Sequence, residues 1–264
     1  MYRKRTDRKI LVFMLMFVTA LAKVPGVSRW YIVAWWSFDP SYVGLPEGYL
    51  REVTGNIPSG IIEGSIRFVR TRRGYGAEFD GRSCIRVMDN ERLRLQGRFT
   101  IEALFLVKEF GGIVLAKDVS GVRGHAREVV GRSYVIYARE DRRIVFHLTS
   151  YRAWICYENA TTNTWYHVVV VKDYGEVRMY VNGKLVARTK DVPRTIAYDA
   201  APLFIGAEDS NNDGKPDNFF KGVIDEIVIY SVALSEEEVI QLSLIHISEP
   251  TRPRLISYAV FCLK

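Results

Sequence analysis

The sequence predicts an all-β sandwich of two antiparallel sheets, and three observations carry that expectation. Short segments rich in β-branched and aromatic residues, alternating or continuous, recur about ten times with polar turns between them. Two of those segments are joined by Asn182-Gly183, a pair suited to both positive-φ positions of a type I′ hairpin turn. Only one segment reads as helix, a short one near residues 235–241, so there is no helical layer to build on.

Taken in chain order, the sequence begins with a basic stretch, 1–9, followed by 13 apolar residues, 10–22, that close on Ala20-Leu21-Ala22. This is the layout of a secretory signal peptide cleaved after Ala22, and it predicts an extracellular or cell-surface protein. Thirteen helical residues span about 20 Å, short of the ~30 Å of a membrane core. No longer apolar run exists, so a polytopic membrane protein is excluded and the mature chain is expected to lack a transmembrane helix.

The strands are expected at 83–88, 99–108, 112–117, 133–138, 143–148, 165–172, 176–181, 184–189, 203–205 and 222–230. After them Ser235-Glu236-Glu237-Glu238 forms a capping box: Ser235 caps the first turn and Glu238 reaches back to it. Residues 242–264 read as foreign. Residues 242–252 spell out the translation of a sequencing-library transposase adapter, and after a three-residue gap 256–263 spell out the flow-cell primer that follows it. The segment is expected to have no buried partner, which leaves 23–241 as the domain.

Charge follows the same division. The net +7 is concentrated in 1–22, at +4, and in 242–264, at +2. The remaining +1 on 23–241 gives no electrostatic footprint for nucleic acid.

Phe79-Asp80-Gly81, Phe99-Thr100-Ile101-Glu102-Ala103, Trp165-Tyr166-His167-Val168, the 177–186 hairpin and Phe220 through Tyr230 followed by Ala233-Leu234-Ser235 occur in the order of a known family. Together they resemble the laminin-G-like jellyroll domain of the concanavalin A-like lectin/glucanase superfamily, whose fold pentraxins share, over roughly residues 33–241. The resemblance implies a jellyroll. Glucanases of this fold use a Glu-x-Asp-x-x-Glu strand, where paired carboxylates cleave a glycosidic bond. Here Glu78-Phe79-Asp80 begins that pattern but Ser83 stands at its end. Asp225 and Glu226 are adjacent, so they point to opposite faces of a strand. His125, His147 and His167 show no ligand or triad spacing. No enzyme is expected.

The segment 207–218 carries the most chemistry. Asp209, Asn211 and Asp213 alternate, Gly214 permits a sharp turn and Asp217 follows, the opening of an Asp-rich Ca²⁺ loop. An EF-hand is excluded because Phe220 stands where its bidentate Glu would be. The pentraxin likeness adds Glu208, which follows Ile205-Gly206, and places a further ligand near Asp118. The competing reading is a solvated Asn/Asp/Gly turn. Cys84 and Cys156 form an even pair that export would allow to bridge, closing a 72-residue span worth roughly 4 kcal/mol in the chain-entropy account. The pentraxin bridge, however, falls nearer Ala103 and Val168. Asn159-Ala160-Thr161 is a glycosylation sequon. Trp154, with Tyr151 beside it in a polar-flanked stretch, is the candidate sugar-stacking residue.

The expected function is a secreted, non-catalytic module that binds a carbohydrate or an extracellular protein, assisted by calcium. The alternatives are the accessory domain of a truncated secreted glycoside hydrolase or protease, and a structural adhesion domain.

Overall fold

The computed structural model describes residues 29–39, 42–44, 48–72, 74–117, 133–148, 153–198, 200–211 and 213–248. Residues 1–22, read above as a signal, and Asp118, His125 and Tyr151 lie outside the described residues. In chain order the strands are β1 Ile32–Trp36, β2 Val43–Gly44, β3 Tyr49–Leu50, β4 Gly60–Glu63, β5 Arg67–Thr71, β6 Gly74–Asp80, β7 Cys84–Val87, β8 Arg98–Glu109 and β9 Gly112–Lys117. They continue with β10 Tyr134–Arg139, β11 Arg143–Leu148, β12 Ala153–Tyr157, β13 Thr164–Asp173, β14 Glu176–Val181, β15 Lys184–Thr189, β16 Leu203–Ile205 and β17 Lys221–Tyr230. The helix α1, Glu236–Ser248, comes last.

Two antiparallel sheets result, a jellyroll sandwich. The eight-stranded sheet runs β15-β14-β13-β8-β17-β6-β5, with β1 pairing beside β17. The nine-stranded sheet runs β12-β11-β10-β9-β16-β7-β4-β3-β2. Register decides which side chains meet. Phe99, Ile101, Ala103, Phe105 and Val107 of β8 line up with Val168 and Val170 of β13 and with Ile227 and Ile229 of β17, all buried in the central core. From the opposite sheet Ile136, Ile144, Phe146, Leu203, Ile205 and Ile85 close that core. The hairpin at Asn182-Gly183 forms as expected, with φ of 51° and 79°, and pairs Val181 with Lys184. The Asn182 side chain also accepts the His167 N–H at 2.9 Å, which ties the turn to β13.

Strands β8, β13 and β17 are buried on both faces, which is why 168–171 reads as four valines rather than as an alternation. The helix supplies the second cover. Its capping box is in place: Ser235 Oγ accepts the Glu238 N–H at 3.2 Å and Glu238 Oε2 accepts the Ser235 N–H at 2.7 Å. It does not stop near 241 but continues to Ser248, because nothing before Pro250 breaks a helix. Residues 242–248 also depart from the expectation of no buried partner. Leu242 and Ser243 are buried and the His246 side chain is 1% exposed, because these residues continue the helical spacing begun by Val239 over the eight-stranded sheet.

The expected Cys84–Cys156 disulfide is corrected. Both residues are free thiols, Cys84 on β7 and Cys156 on β12, and four strands lie between them in the same sheet. At about 4.8 Å per strand they stand some 24 Å apart, far beyond the reach of a bridge.

Candidate functional site

The two outer faces of the sandwich differ. On the eight-stranded side α1 covers the sheet and a polar network lies beneath it. Glu102 Oε1 takes hydrogen bonds from His167 Nε2 at 2.9 Å and His246 Nε2 at 2.7 Å, and Glu102 Oε2 accepts from Tyr230 Oη at 2.6 Å. Glu226 accepts from Trp35 Nε1 at 2.6 Å. Burial alone would raise the Glu102 pKa, but the hydrogen bonds from the two histidines outweigh it and hold the carboxyl well below the ordinary carboxylate range.

Among the described residues, Glu102, His167 and His246 are the one trio of metal-capable side chains whose ligand atoms lie within 4.8 Å of one another. Their geometry is that of a hydrogen-bonded network. The two rings stack at 4.5 Å, both Nε2 atoms turn to one carboxylate oxygen, and His167 Nδ1 is bonded to Ser243 Oγ at 2.8 Å. Ser243 and His246 of α1 contribute to this network, and Glu102, His167, Tyr230, Glu226 and Trp35 make up the part of it that lies on the strands.

The outer face of the nine-stranded sheet is exposed only in part: Val135, Val145 and Phe204 on it are buried, while Trp154 reaches the surface. Register places Trp154 of β12, His147 of β11, and Val135, Tyr137 and Arg139 of β10 on this one side. Trp154 is 48% exposed, and the Arg139 guanidinium sits 4.6 Å from its ring centroid. A cation over the ring holds the indole in one orientation while leaving it at the surface. Tyr137 Oη donates to both Glu140 oxygens, at 2.7 and 2.8 Å. Burial, and then the Glu140 carboxylate, push the Tyr137 hydroxyl far above its usual pKa, so it remains a neutral donor. Farther across the sheet Arg86 lies over the Phe204 ring at 4.8 Å, pairs with Glu63 at 2.5 Å and donates to Gly214 O at 3.0 Å. Cys84 is packed with Phe204, and burial beside Glu63 pushes its thiol up to about 12.

The Arg86 contact anchors the Asp-rich loop to this sheet. Glu208 and Asp217 close its base through paired backbone hydrogen bonds of 3.1 and 2.6 Å. Inside it, the Asp209 oxygens accept the N–H groups of Asp213 and Gly214 at 3.1 and 2.9 Å. Asp217 accepts from the Ser210 N–H at 3.1 Å, from Asn211 Nδ2 at 2.9 Å and from Ser210 Oγ at 2.5 Å. Asp213 accepts the Lys215 N–H, and Glu208 Oε1 accepts Asn218 Nδ2. Short oxygen side chains are the right donors for Ca²⁺. As folded, they turn onto the loop's own N–H and amide groups, which Asp209 and Asp217 accept.

Asn159 is exposed on the turn after β12, with positive φ. Trp154 and the loop stand out in the sequence, whereas Arg139, Tyr137 and Arg86 do not, because no local pattern signals that a guanidinium two strands away lies over a ring.

Residues 80–240 match the family described as the concanavalin A-like lectin/glucanases superfamily, in its laminin-G-type branch. The chain therefore belongs to that superfamily. No curated protein matches its sequence. Among solved structures it is similar to domain 4 of AbnA, a GH43 extracellular arabinanase from Geobacillus stearothermophilus, in complex with arabinotriose. That match has a TM-score of 0.59 and 20% identity, covering 80% of this chain and 98% of that one. A Trypanosoma rangeli sialidase matches with a TM-score of 0.65 and 16% identity, over 91% of this chain and 39% of the sialidase. The receptor binding domain of botulinum neurotoxin type G matches with a TM-score of 0.56 and 16% identity, over 81% of this chain and 51% of that one. At these identities the likeness is one of fold. Among the described residues no helix is long and apolar enough to cross a membrane.

Proposed function

We propose that this domain is an exported, non-catalytic carbohydrate-binding module that lays its ligand against the outer face of the nine-stranded sheet. The observation that carries the reading is Trp154, an exposed indole held by Arg139 on a sheet face that also offers Tyr137. Sugar rings present C–H surfaces to such aromatics and hydroxyls to neighbouring polar groups, so a fixed ring beside donors and acceptors suits them. A non-catalytic role is supported by the state of the nearest glucanase-like residues. Glu78 is paired with Arg67 and Lys108, Asp80 accepts from Arg82 N and Ser83 Oγ, and the third carboxylate of that pattern is replaced by Ser83.

Service as the accessory module of a longer secreted glycoside hydrolase is the second reading, favoured by the likeness to the arabinanase domain crystallised with arabinotriose. Calcium enters either reading as a clamp on the 208–217 loop, taking Glu208, Asp209, Asn211, Asp213 and Asp217 as oxygen donors.

The test is a glycan array, followed by calorimetry with the best oligosaccharide. The wild-type chain should bind, and Trp154→Ala should weaken binding about tenfold or more, as for a buried aromatic anchor. Unchanged affinity in Trp154→Ala would move the site elsewhere, and absence of any glycan ligand would end the reading.

A further inference from the structure

The end of the sandwich bears a second concavity away from Trp154. The β6–β7 turn supplies Asp80, Gly81 and Arg82, the β8–β9 turn supplies Glu109 through Gly112, and the chain entering β17 supplies Phe219 and Lys221. These surround a groove of about 260 Å³. Three of its lining residues are glycines. The fold itself fixes one of them: a Cβ on Gly112 would lie 2.5 Å from the Phe219 carbonyl oxygen.

We propose that this groove is a subsite for one neutral sugar residue. The charges decide the ligand class. Two carboxylates, Asp80 and Glu109, face two cations, Arg82 and Lys221, so the lining is neutral as a whole yet rich in both donors and acceptors. An anion would meet the carboxylates and a cation would meet the arginine and lysine. A polyol uses both kinds of group without bringing a charge of its own.

Size decides the rest. Sites for drug-sized ligands run to roughly 300–1,000 Å³, and this one falls below that range. Its exposed lining is almost wholly polar, which suits a ligand that is itself covered in hydroxyls. The groups are also positioned in advance. Asp80 Oδ1 is held by the Arg82 N–H and the Ser83 hydroxyl, both at 2.9 Å, Lys221 Nζ meets Glu109 Oε2 at 2.5 Å, and among the described residues Arg82 has no carboxylate partner in an ion pair.

The groove is not isolated from the Trp154 face. A Cβ on Gly111 would stand 3.4 Å from Glu140 Cγ, and Glu140 takes the Tyr137 hydroxyl that neighbours Arg139 along β10. A chain bound across the sheet therefore has a polar path toward the groove. The inference rests on the carbohydrate reading for its ligand class but uses none of the residues assigned to the Trp154 site.

The experiment is an NMR titration of the full chain with methyl glycosides of arabinose, xylose, glucose and galactose, alongside arabinotriose and cellotriose. At least one methyl glycoside should shift resonances at 80–82, 109–112 and 219–221. Asp80→Asn and Arg82→Ala, both at exposed positions, should each weaken that binding about tenfold or more at unchanged melting temperature, whereas Trp154→Ala should leave it intact. Monosaccharide binding that survives both groove variants, or that is lost in Trp154→Ala, overturns the groove. Binding of the trisaccharides with no binding of any methyl glycoside also overturns it, while the Trp154 reading stands. Absence of binding by every probe overturns both.

Discussion

Glu102 is ionised where no water reaches it, and its hydrogen bonds make the domain sensitive to acid. Burial would raise its pKa, but hydrogen bonds from His167 and His246 outweigh that and hold it well below the ordinary carboxylate range in the folded state. A depressed carboxylate contributes its full stability above its unfolded pKa and loses that contribution as pH falls toward the folded value. The melting temperature of the wild type should therefore drop as pH falls from about 5 to about 3, and Glu102→Gln, less stable at neutral pH, should show a shallower acid limb. Parallel acid limbs for the two proteins would mean that Glu102 is not the titrating group. The neighbouring residues show how far such detail is legible. His167 reads as a structural histidine from its alternation with apolar residues, and it is one. Its pairing with Glu102 does not show, because the two residues are 65 positions apart and meet only through strand register.

At the scale of elements, what the sequence discloses depends on whether a local rule governs. Strands β9, β11, β14, β15 and β16 match their expected bounds, and the 182–183 turn has the backbone that Asn-Gly favours. Strands β2 and β3 escape detection because they are two residues long, and β4 and β5 because little burial imposes a period on them. Helix α1 overruns its expected end because helix propensity continues wherever no breaker intervenes, whatever the origin of the residues. If 242–264 is adapter, a chain ending at Gln241 should still fold cooperatively, losing about 1.5–3 kcal/mol from the buried Leu242 side chain and, in addition, the bonds His246 and Ser243 make to Glu102 and His167. Failure of that truncated chain to fold would show the segment to be integral. The Asp-rich loop is legible as a pattern but not as a geometry, since the same residues that ligate calcium also make Asx turns. Calcium should raise the melting temperature by mass action, about 2.7 kcal/mol at 100 times its dissociation constant, and Asp213→Ala should remove most of that response. A melting curve indifferent to calcium and to chelator leaves a hydrogen-bonded turn.

For the molecule as a whole, the sandwich has one face sealed by α1 over buried charges and one face on which Trp154, Arg139 and Tyr137 are presented. The fold class and the family are legible from alternation, turn chemistry and motif order. The face to which each strand aromatic points is not, because an aromatic in a strand reads alike whichever way it points: Trp36 is wholly buried while Trp154 is exposed. If ligand meets the nine-stranded sheet as proposed, hydrogen exchange read by mass spectrometry registers the contact. With a bound oligosaccharide from the array, protection should rise in peptides covering 134–139 and 153–157 and stay unchanged at 100–104 and 226–230. Protection confined to the eight-stranded sheet or its helix would contradict the account.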